Sequence, residues 1–391
     1  QPDVWFVYRT NPAISFWDTG AVTEVIANFP FTVCFAYTMD ETNHMADVLL
    51  PECTDLEGLQ LIRIGGSKYV EQFWEHQGFA LREPASEPMG EARDFTWITT
   101  QIAKGAGVLE EYNNAINSGA AGVRLFGENF DHRIDPTVEH SVEEIWEQSC
   151  RAASAELTDG AENQGLDYFR EHGFRTAPFP KERWYLYPAI VEKELRFELP
   201  YQERLLRIGQ ELGDRLHERG ITWWDSQLRE YEAMPHYQDL PGLWEGALER
   251  QFDVDIDDFP FWLVTARSMQ YSWGGNVGIQ MIHEVAANVA GHGGVVMNPT
   301  AAAKLGVKEG DEVEVSSPVG ITKGAVILRN GIRPDTLLMI GQFDHWKTPF
   351  AKDLKTPSMN GLMPMSLELT DATGSGADLV RVAVKKTGAR S

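Results

Sequence analysis

From Phe261 onward the sequence is cut into short strands by glycine and proline, and this pattern leaves few folds open. Phe261-Trp262-Leu263-Val264 is an apolar strand. Helix Pro299–Leu305 leads into the turn Gly306-Val307-Lys308-Glu309-Gly310-Asp311. Strand Glu312–Ser316 then alternates in and out, Pro318-Val319-Gly320 turns into strand Ile321–Leu328, and Gly331 to Asp335 turns into strand Thr336–Ile340. A final strand covers Leu379–Val384. Many short strands with this punctuation close most simply into a barrel.

The first of these strands runs into Thr265-Ala266-Arg267-Ser268-Met269-Gln270, then Trp273 and the pair Gly274-Gly275. A polar, glycine-containing loop at a strand end offers backbone N–H groups to a phosphate or a large polar cofactor. Arg267 has the forked donors that suit a diphosphate. A buried strand followed by an ordinary exposed loop gives the same pattern.

The first 50 residues read as α/β. Strand Val4–Tyr8 ends at Arg9-Thr10-Asn11-Pro12; a helix from about Trp17 to Ala27 carries Val22, Val25 and Ile26 on one face. Strand Phe31–Tyr37 ends at Thr38-Met39-Asp40, and a short helix over Glu41–Asp47 precedes strand Val48–Leu50. Continuous apolar strands alternating with helices predict a parallel sheet, with ligands at the carboxyl ends of its strands. Asn11 and Thr38 are therefore candidate contacts, and both also suit plain turns. Further on, Phe95–Lys104 predicts a helix with Trp97, Ile98 and Ile102 inward and Asp94 as its N-cap. The Asp94 carboxylate also suits the paired N–H groups of a guanine edge.

With 391 residues the chain exceeds one compact core. A formal charge of −24 argues against a nucleic-acid backbone or an anionic membrane surface as the main partner. Cys34, Cys53 and Cys150 form no CxxC pair, which gives no zinc or iron–sulfur spacing, and Cys34 reads as an inert core thiol. No apolar run approaches the roughly 20 residues that span a bilayer. The chain opens at Gln1 and enters a strand almost at once, as expected of a piece of something longer.

Residues 111 to 250 alternate acidic helical pieces with aromatic loops. Gln202–Gly220 has helical period (Leu205, Ile208, Leu212, Leu216) and reads as a one-sided surface helix. Glu211, His217 and Glu218 on it do not place a clean metal pair on one face. The acidic stretch Gln251–Pro260 reads as a linker.

Three regions together resemble the C-terminal half of the large subunit of the molybdopterin oxidoreductases, the dimethyl sulfoxide reductase superfamily. Thr10-Asn11-Pro12 with Glu41 to Pro51 and Glu57-Gly58 is similar to the family's "tNP … ETxxxADxxLP" segment. Thr265-Ala266-Arg267 and its loop form the second region. Lys304 to Pro318 is similar to the "lGikdGDxVxVsSp" signature of the dinucleotide-binding barrel.

The resemblance implies an α/β fold: part of a Rossmann-like parallel-sheet domain over residues 1–110, a helical and irregular insert over 111–258, and a six-stranded double-psi-type β-barrel over 259–391. It implies bis-(molybdopterin guanine dinucleotide) carrying molybdenum or tungsten. Asn11 and the strand end Ala36, Tyr37 and Thr38 would face one guanine dinucleotide, with Asp94 near a guanine. Thr265, Arg267, Ser268, Gln270, Trp273 and Gly274 would wrap the pterin and diphosphate. Asn360, in Met359-Asn360-Gly361-Leu362, matches the family's Asn near a pterin, and His345 sits where the family loop approaches the cofactor. The family's iron–sulfur cysteine motif and the segment bearing the metal ligand have no match here. A [4Fe-4S] cluster is expected on an N-terminal part of the same subunit, and no catalytic residue or metal ligand is assigned. Gly374 to Val380 lacks the Lys that many members carry before the last strand.

The resemblance implies an oxidoreductase acting on a small molecule by oxygen-atom or hydride and electron transfer. It implies an iron–sulfur electron-transfer subunit, and in some members a membrane anchor subunit, as partners. Any export signal would lie on the N-terminal part. Arg196-Phe197-Glu198-Leu199-Pro200-Tyr201 looks most like the branch of phenylacetyl-CoA:acceptor and thiosulfate or polysulfide oxidoreductases. The aromatic stretch Trp223-Trp224 with Tyr231 to Trp244 suits a bulky substrate funnel or plain core packing. The rival reading is a non-catalytic structural subunit that keeps the fold; retention of Thr265–Gly274 and Asn360 is what separates the two.

Overall fold

The computed structural model describes residues 2–65, 76–179, 203–234, 236–271, 274–289, 293–341, 344–370, 376 and 378–389. The strands in chain order are β1 (Trp5–Tyr8), β2 (Thr32–Ala36), β3 (Val48–Pro51), β4 (Gln60–Gly65), β5 (His76–Arg82) and β6 (Phe174–Pro178). They continue as β7 (Phe261–Ala266), β8 (Gly294–Met297), β9 (Asp311–Ser316), β10 (Ile321–Leu328), β11 (Thr336–Ile340) and β12 (Leu379–Ala389). No described helix is long and apolar enough to cross a membrane.

Two compact units divide the chain: residues 1–34, 38–49 and 199–391 form one, residues 35–37 and 50–198 the other. The sheet β1-β2-β3 follows chain order. Asp47 N–H donates to Thr32 O and Glu52 N–H to Ala36 O, so β3 advances beside β2 in the same sense. Helix Thr19–Ala27 is shorter at its start than the periodicity predicts. Val22 and Ile26 are buried under it, whereas Val25 is 53% exposed. Only a narrow stripe of so short a helix meets the sheet.

In the first unit, β10-β8-β11-β7-β12-β9 close a six-stranded barrel. The parallel pairs β7·β11 and β8·β10 are joined through antiparallel neighbours, and closure leaves no strand edge exposed to another chain. Alternation does what the sequence predicts: Val313 and Val315 of β9, Leu337 and Met339 of β11, and Val380 and Val382 of β12 point into one core. Trp244 of helix Leu240–Phe252 packs on that core at 1% exposure, so it serves packing rather than a funnel. Tyr231 is likewise spent on packing, its Cβ lying where a side chain on Gly209 would go. Helix Glu203–Glu218 leaves Leu205 and Ile208 exposed, half-buries Leu212 and Leu216, and buries Gly209 and Gly213.

Strand β8 carries no alternation, because all four of its residues are buried. A Cβ on Gly294 would lie 2.6 Å from the Ala325 carbonyl oxygen of β10, so the closest barrel approach requires glycine there.

In the second unit the sequence reading had helical pieces and loops, and the sheet is a finding. Strands β4, β5 and β6 form an antiparallel sheet, with β6 returning more than 90 residues after β5. Phe79 of β5 packs with Ile145, Cys150 and Phe169 from helices Val142–Thr158 and Leu166–His172. Ser141 and Glu144 form a reciprocal capping box at the start of the longer helix. Helix Phe95–Ala106 buries Ile98 and Ala103 and leaves Trp97 44% exposed, unlike the predicted face.

Candidate cofactor site

Glu41 is the centre of the polar structure in the first unit. It is wholly buried, and its carboxylate collects five donors and faces the imidazole of His345. Oε1 accepts three successive backbone N–H groups, from Trp346 (2.9 Å), Lys347 (2.8 Å) and Thr348 (3.0 Å). Oε2 accepts from Asn11 Nδ2 (2.8 Å) and Thr348 Oγ1 (2.9 Å), and His345 Nδ1 lies 3.2 Å away. Burial alone would raise this carboxyl; the donors of His345, Thr348 and Lys347 outweigh it and hold Glu41 well below the usual carboxylate range. Its neighbour Asp40 moves the other way. Burial, with the Glu41 charge beside it, pushes Asp40 up to about 6 against the pull of the Asn43 and Thr42 N–H groups.

The sequence puts these groups together through short, stiff segments. Asn11 precedes Pro12, which starts the four-residue helix Pro12–Ser15, yet its side chain does not cap that helix. Its Oδ1 instead accepts from Thr42 N (3.2 Å) and Thr42 Oγ1 (2.8 Å), while Nδ2 goes to Glu41. Asn360 Nδ2 donates to Ile14 O at 2.6 Å, and Asn360 O accepts from Asp18 N at 2.9 Å. So Asn11 and His345, separate cofactor contacts in the sequence reading, share the acceptor Glu41, while Asn360 is bonded to Ile14 and Asp18 on the far side of the helix that Asn11 precedes. In the sequence Glu41 is one position of the "ETxxxAD" segment, with no role of its own. All its partners but Asn11 lie some 300 residues away, and no local pattern announces them.

The second group of candidates lies at the carboxyl end of β7. Gly341 follows β11, and its N–H donates to Ala266 O, so two parallel strand ends sit side by side. A Cβ on Gly341 would stand 2.9 Å from Thr265 Oγ1. That hydroxyl is buried and has no hydrogen-bond partner among the described residues. Ser268 Oγ accepts from Tyr271 N (3.0 Å), and Gln270 O accepts from Asn276 Nδ2 (3.4 Å), which folds the loop back on itself. Arg267 is exposed, and Gly274 opens the short helical turn Gly274–Gly278. Trp273 lies outside the described residues, as do Arg196–Tyr201 and Gly374.

Of the rest, Thr38 O accepts from Asn43 Nδ2 at 2.9 Å in the first unit. In the second unit Ala36 ends β2 with its carbonyl bonded to Glu52 N, Tyr37 is half-exposed, and Asp94 caps its helix through Thr96 N at 2.8 Å. The three thiols are buried and pushed up by that burial, Cys34 and Cys53 to about 11 and Cys150 to about 12, which suits inert core residues. His217 pairs with Asp225 at 2.7 Å.

A large polar cofactor fits the strand ends. A hydroxyl and an imidazole nitrogen, Thr265 Oγ1 and His345 Nε2, are buried and lack partners among the described residues. Such groups cost free energy unless something meets them. Gly341 lets the two strand ends approach this closely, since a Cβ there would press on Thr265 Oγ1.

Comparison with known proteins agrees. Residues 1–105 match the molybdopterin oxidoreductase family model, and residues 261–375 match that of the molydopterin dinucleotide binding domain. The chain is 22% identical over 348 residues to the thiosulfate reductase molybdopterin-containing subunit PhsA of Salmonella typhimurium, covering 86% of this chain and 37% of that protein. It is 24% identical over 414 residues to the arsenate respiratory reductase molybdopterin-containing subunit ArrA of Chrysiogenes arsenatis, covering 97% and 45%. Acetylene hydratase from Pelobacter acetylenicus shares the fold, with a TM-score of 0.58 at 14% identity over 98% of this chain and 44% of that one. The chain thus spans less than half the length of each of these relatives. With the two family models matched in order and the closed barrel in place, the chain belongs to the molybdopterin oxidoreductases.

Proposed function

We propose that this chain forms the dinucleotide-binding part of the large subunit of a molybdenum- or tungsten-dependent oxidoreductase and holds bis-(molybdopterin guanine dinucleotide). The observation that carries this is Thr265 Oγ1, buried beside Gly341 and unpartnered among the described residues, within the segment matching the dinucleotide-binding model. The bound cofactor supplies the redox chemistry, an oxygen-atom or hydride and electron transfer at the metal. The chain's own groups bind and orient. Thr265, Ser268, Gln270 and Gly274 line the turn that meets the pterin and diphosphate, and Arg267 supplies charge to the phosphates. Trp273 joins this loop by sequence. By the resemblance, Asn360 meets a pterin, Asn11, Ala36, Tyr37 and Thr38 meet one guanine dinucleotide, and Asp94 meets a guanine.

The metal ligand and the [4Fe-4S] cluster belong to a part of the subunit outside these residues. An iron–sulfur subunit accepts or delivers the electrons, with a membrane anchor subunit where the complex has one. Similarity to a thiosulfate reductase subunit supports the sulfur-compound branch, with a small inorganic substrate.

Thr265→Val in the complete enzyme tests the reading. It removes only the unpartnered hydroxyl, so the cofactor-free protein should be as stable as wild type or more so. Loss of one hydrogen bond of about 1 kcal/mol should make metal and GMP dissociate roughly fivefold faster. Unchanged release would count against a cofactor at this strand end.

A further inference from the structure

The region around Glu41 fixes more than a loop. The two carboxylate oxygens divide their work: Oε1 takes only the backbone N–H groups of residues 346–348, and Oε2 takes only side chains. Thr348 Oγ1 spends its single proton on Glu41 Oε2, so it faces His345 Nδ1, 3.0 Å away, with a lone pair. Both groups in front of Nδ1 are therefore acceptors, an ionised carboxylate and a hydroxyl oxygen. An unprotonated Nδ1 there would set lone pair against lone pair. The side chain is 2% exposed, and Nε2, at the far edge of the ring, has no partner among the described residues.

We infer that Glu41 is a positioning residue that fixes His345 with its proton on Nδ1, so that Nε2 presents a lone pair to a ring N–H of the bound pterin. This rests on the cofactor reading above for the identity of the ligand, though the tautomer follows from the chain alone. A carboxylate that orients an imidazole from behind leaves the front nitrogen as the recognising atom. Among the described residues, Asp40 and Asp344 also act on this imidazole electrostatically, and Glu41 is the carboxylate in contact with it. The arrangement gives the buried carboxylate a second use beside holding the backbone of residues 346–348.

The substitution that separates positioning from mere anchoring is Glu41→Gln. Its carbonyl oxygen can still receive the three backbone N–H groups, but an NH₂ replaces the oxygen facing His345. The ring must then turn its Nδ1 lone pair toward that NH₂ and move its proton to Nε2.

The experiment is nitrogen NMR of histidine-labelled complete enzyme at neutral pH, with the His345 signals identified by their loss in His345→Gln. Protonated Nδ1 and unprotonated Nε2 are expected in the wild type, with the proton moved to Nε2 in Glu41→Gln. A wild-type Nε2–H, or a tautomer unchanged in Glu41→Gln, overturns the positioning role, and the wild-type spectrum alone suffices for the first of these. The ligand half is read separately. Removing the cofactor from wild-type enzyme should shift the Nε2 resonance, and His345→Gln should release GMP and metal roughly fivefold faster. An unmoved resonance and normal release would overturn the pterin contact. A wild-type enzyme with neither GMP nor metal would instead overturn the cofactor reading and leave the tautomer result standing.

Discussion

The barrel and the Glu41 region lie in the same unit and are held by opposite means. The barrel core is aliphatic: Leu263, Met297, Leu337 and Met339 are completely buried and need only volume and shape from their neighbours. Around Glu41, stability comes from six aimed hydrogen bonds to one buried charge, and any missing donor or acceptor leaves a polar group stranded. Apolar packing tolerates substitution by degrees, whereas a charged network tolerates almost none. A fold keeps such a network where geometry matters more than bulk stability. Here the loop it holds follows β11, the strand whose end lies beside the unpartnered Thr265.

Substitutions can sharpen or break this contrast. The largest loss is expected from Glu41→Leu, which strands three backbone N–H groups, Asn11 and His345; a fall of about 3–5 kcal/mol should appear in urea unfolding. A fall below 1 kcal/mol would mean the charge is no better than a hydrophobic plug. Leu337→Ala should cost about 3 kcal/mol through the cavity left in the barrel. Unlike changes around Glu41, it should leave the His345 imidazole resonances where they are. Asn360→Ala removes the bond to Ile14 O and should cost about 1 kcal/mol.

The finest distinction is in pH. Asp40 is pushed up to about 6, so its ionisation opposes folding, and stability falls as pH rises from about 4 through 6. Glu41 is held low, so its contribution is present above the ordinary carboxylate range and is lost as pH falls below it. Asp40→Asn should therefore flatten the slope between pH 4 and 6 and raise stability at pH 7 by less than about 1 kcal/mol, since solvent screens a half-buried group. A steeper slope in that variant would show that Asp40 supports the fold when ionised.

The same contrast explains what could be read from sequence. Strands β9 to β12 were legible because one face of each is buried, which writes period-two alternation into Val313, Val315, Leu337 and Met339. Strand β8 was not, because burial on all sides erases the alternation and Gly294 weakens the strand signal. The β4–β6 sheet escaped because its third strand is short, ends at Pro178 and pairs across more than 90 residues. Asn11 stands out at a strand end, whereas His345 and Asn360 are candidates only through the resemblance. The carboxylate that ties two of them together was passed over, because a lone Glu in a polar run looks like any solvated side chain until the chain has folded.

The central claim is that this chain carries a guanine-dinucleotide molybdenum or tungsten cofactor. Metal analysis of the purified complete enzyme, with acid-released GMP measured on the same sample, tests it most directly. About two GMP per molybdenum or tungsten atom is the expected result, since each pterin of the bis-dinucleotide form carries one guanine nucleotide. An intact enzyme containing neither metal nor GMP would contradict it and leave a structural subunit that has kept the barrel.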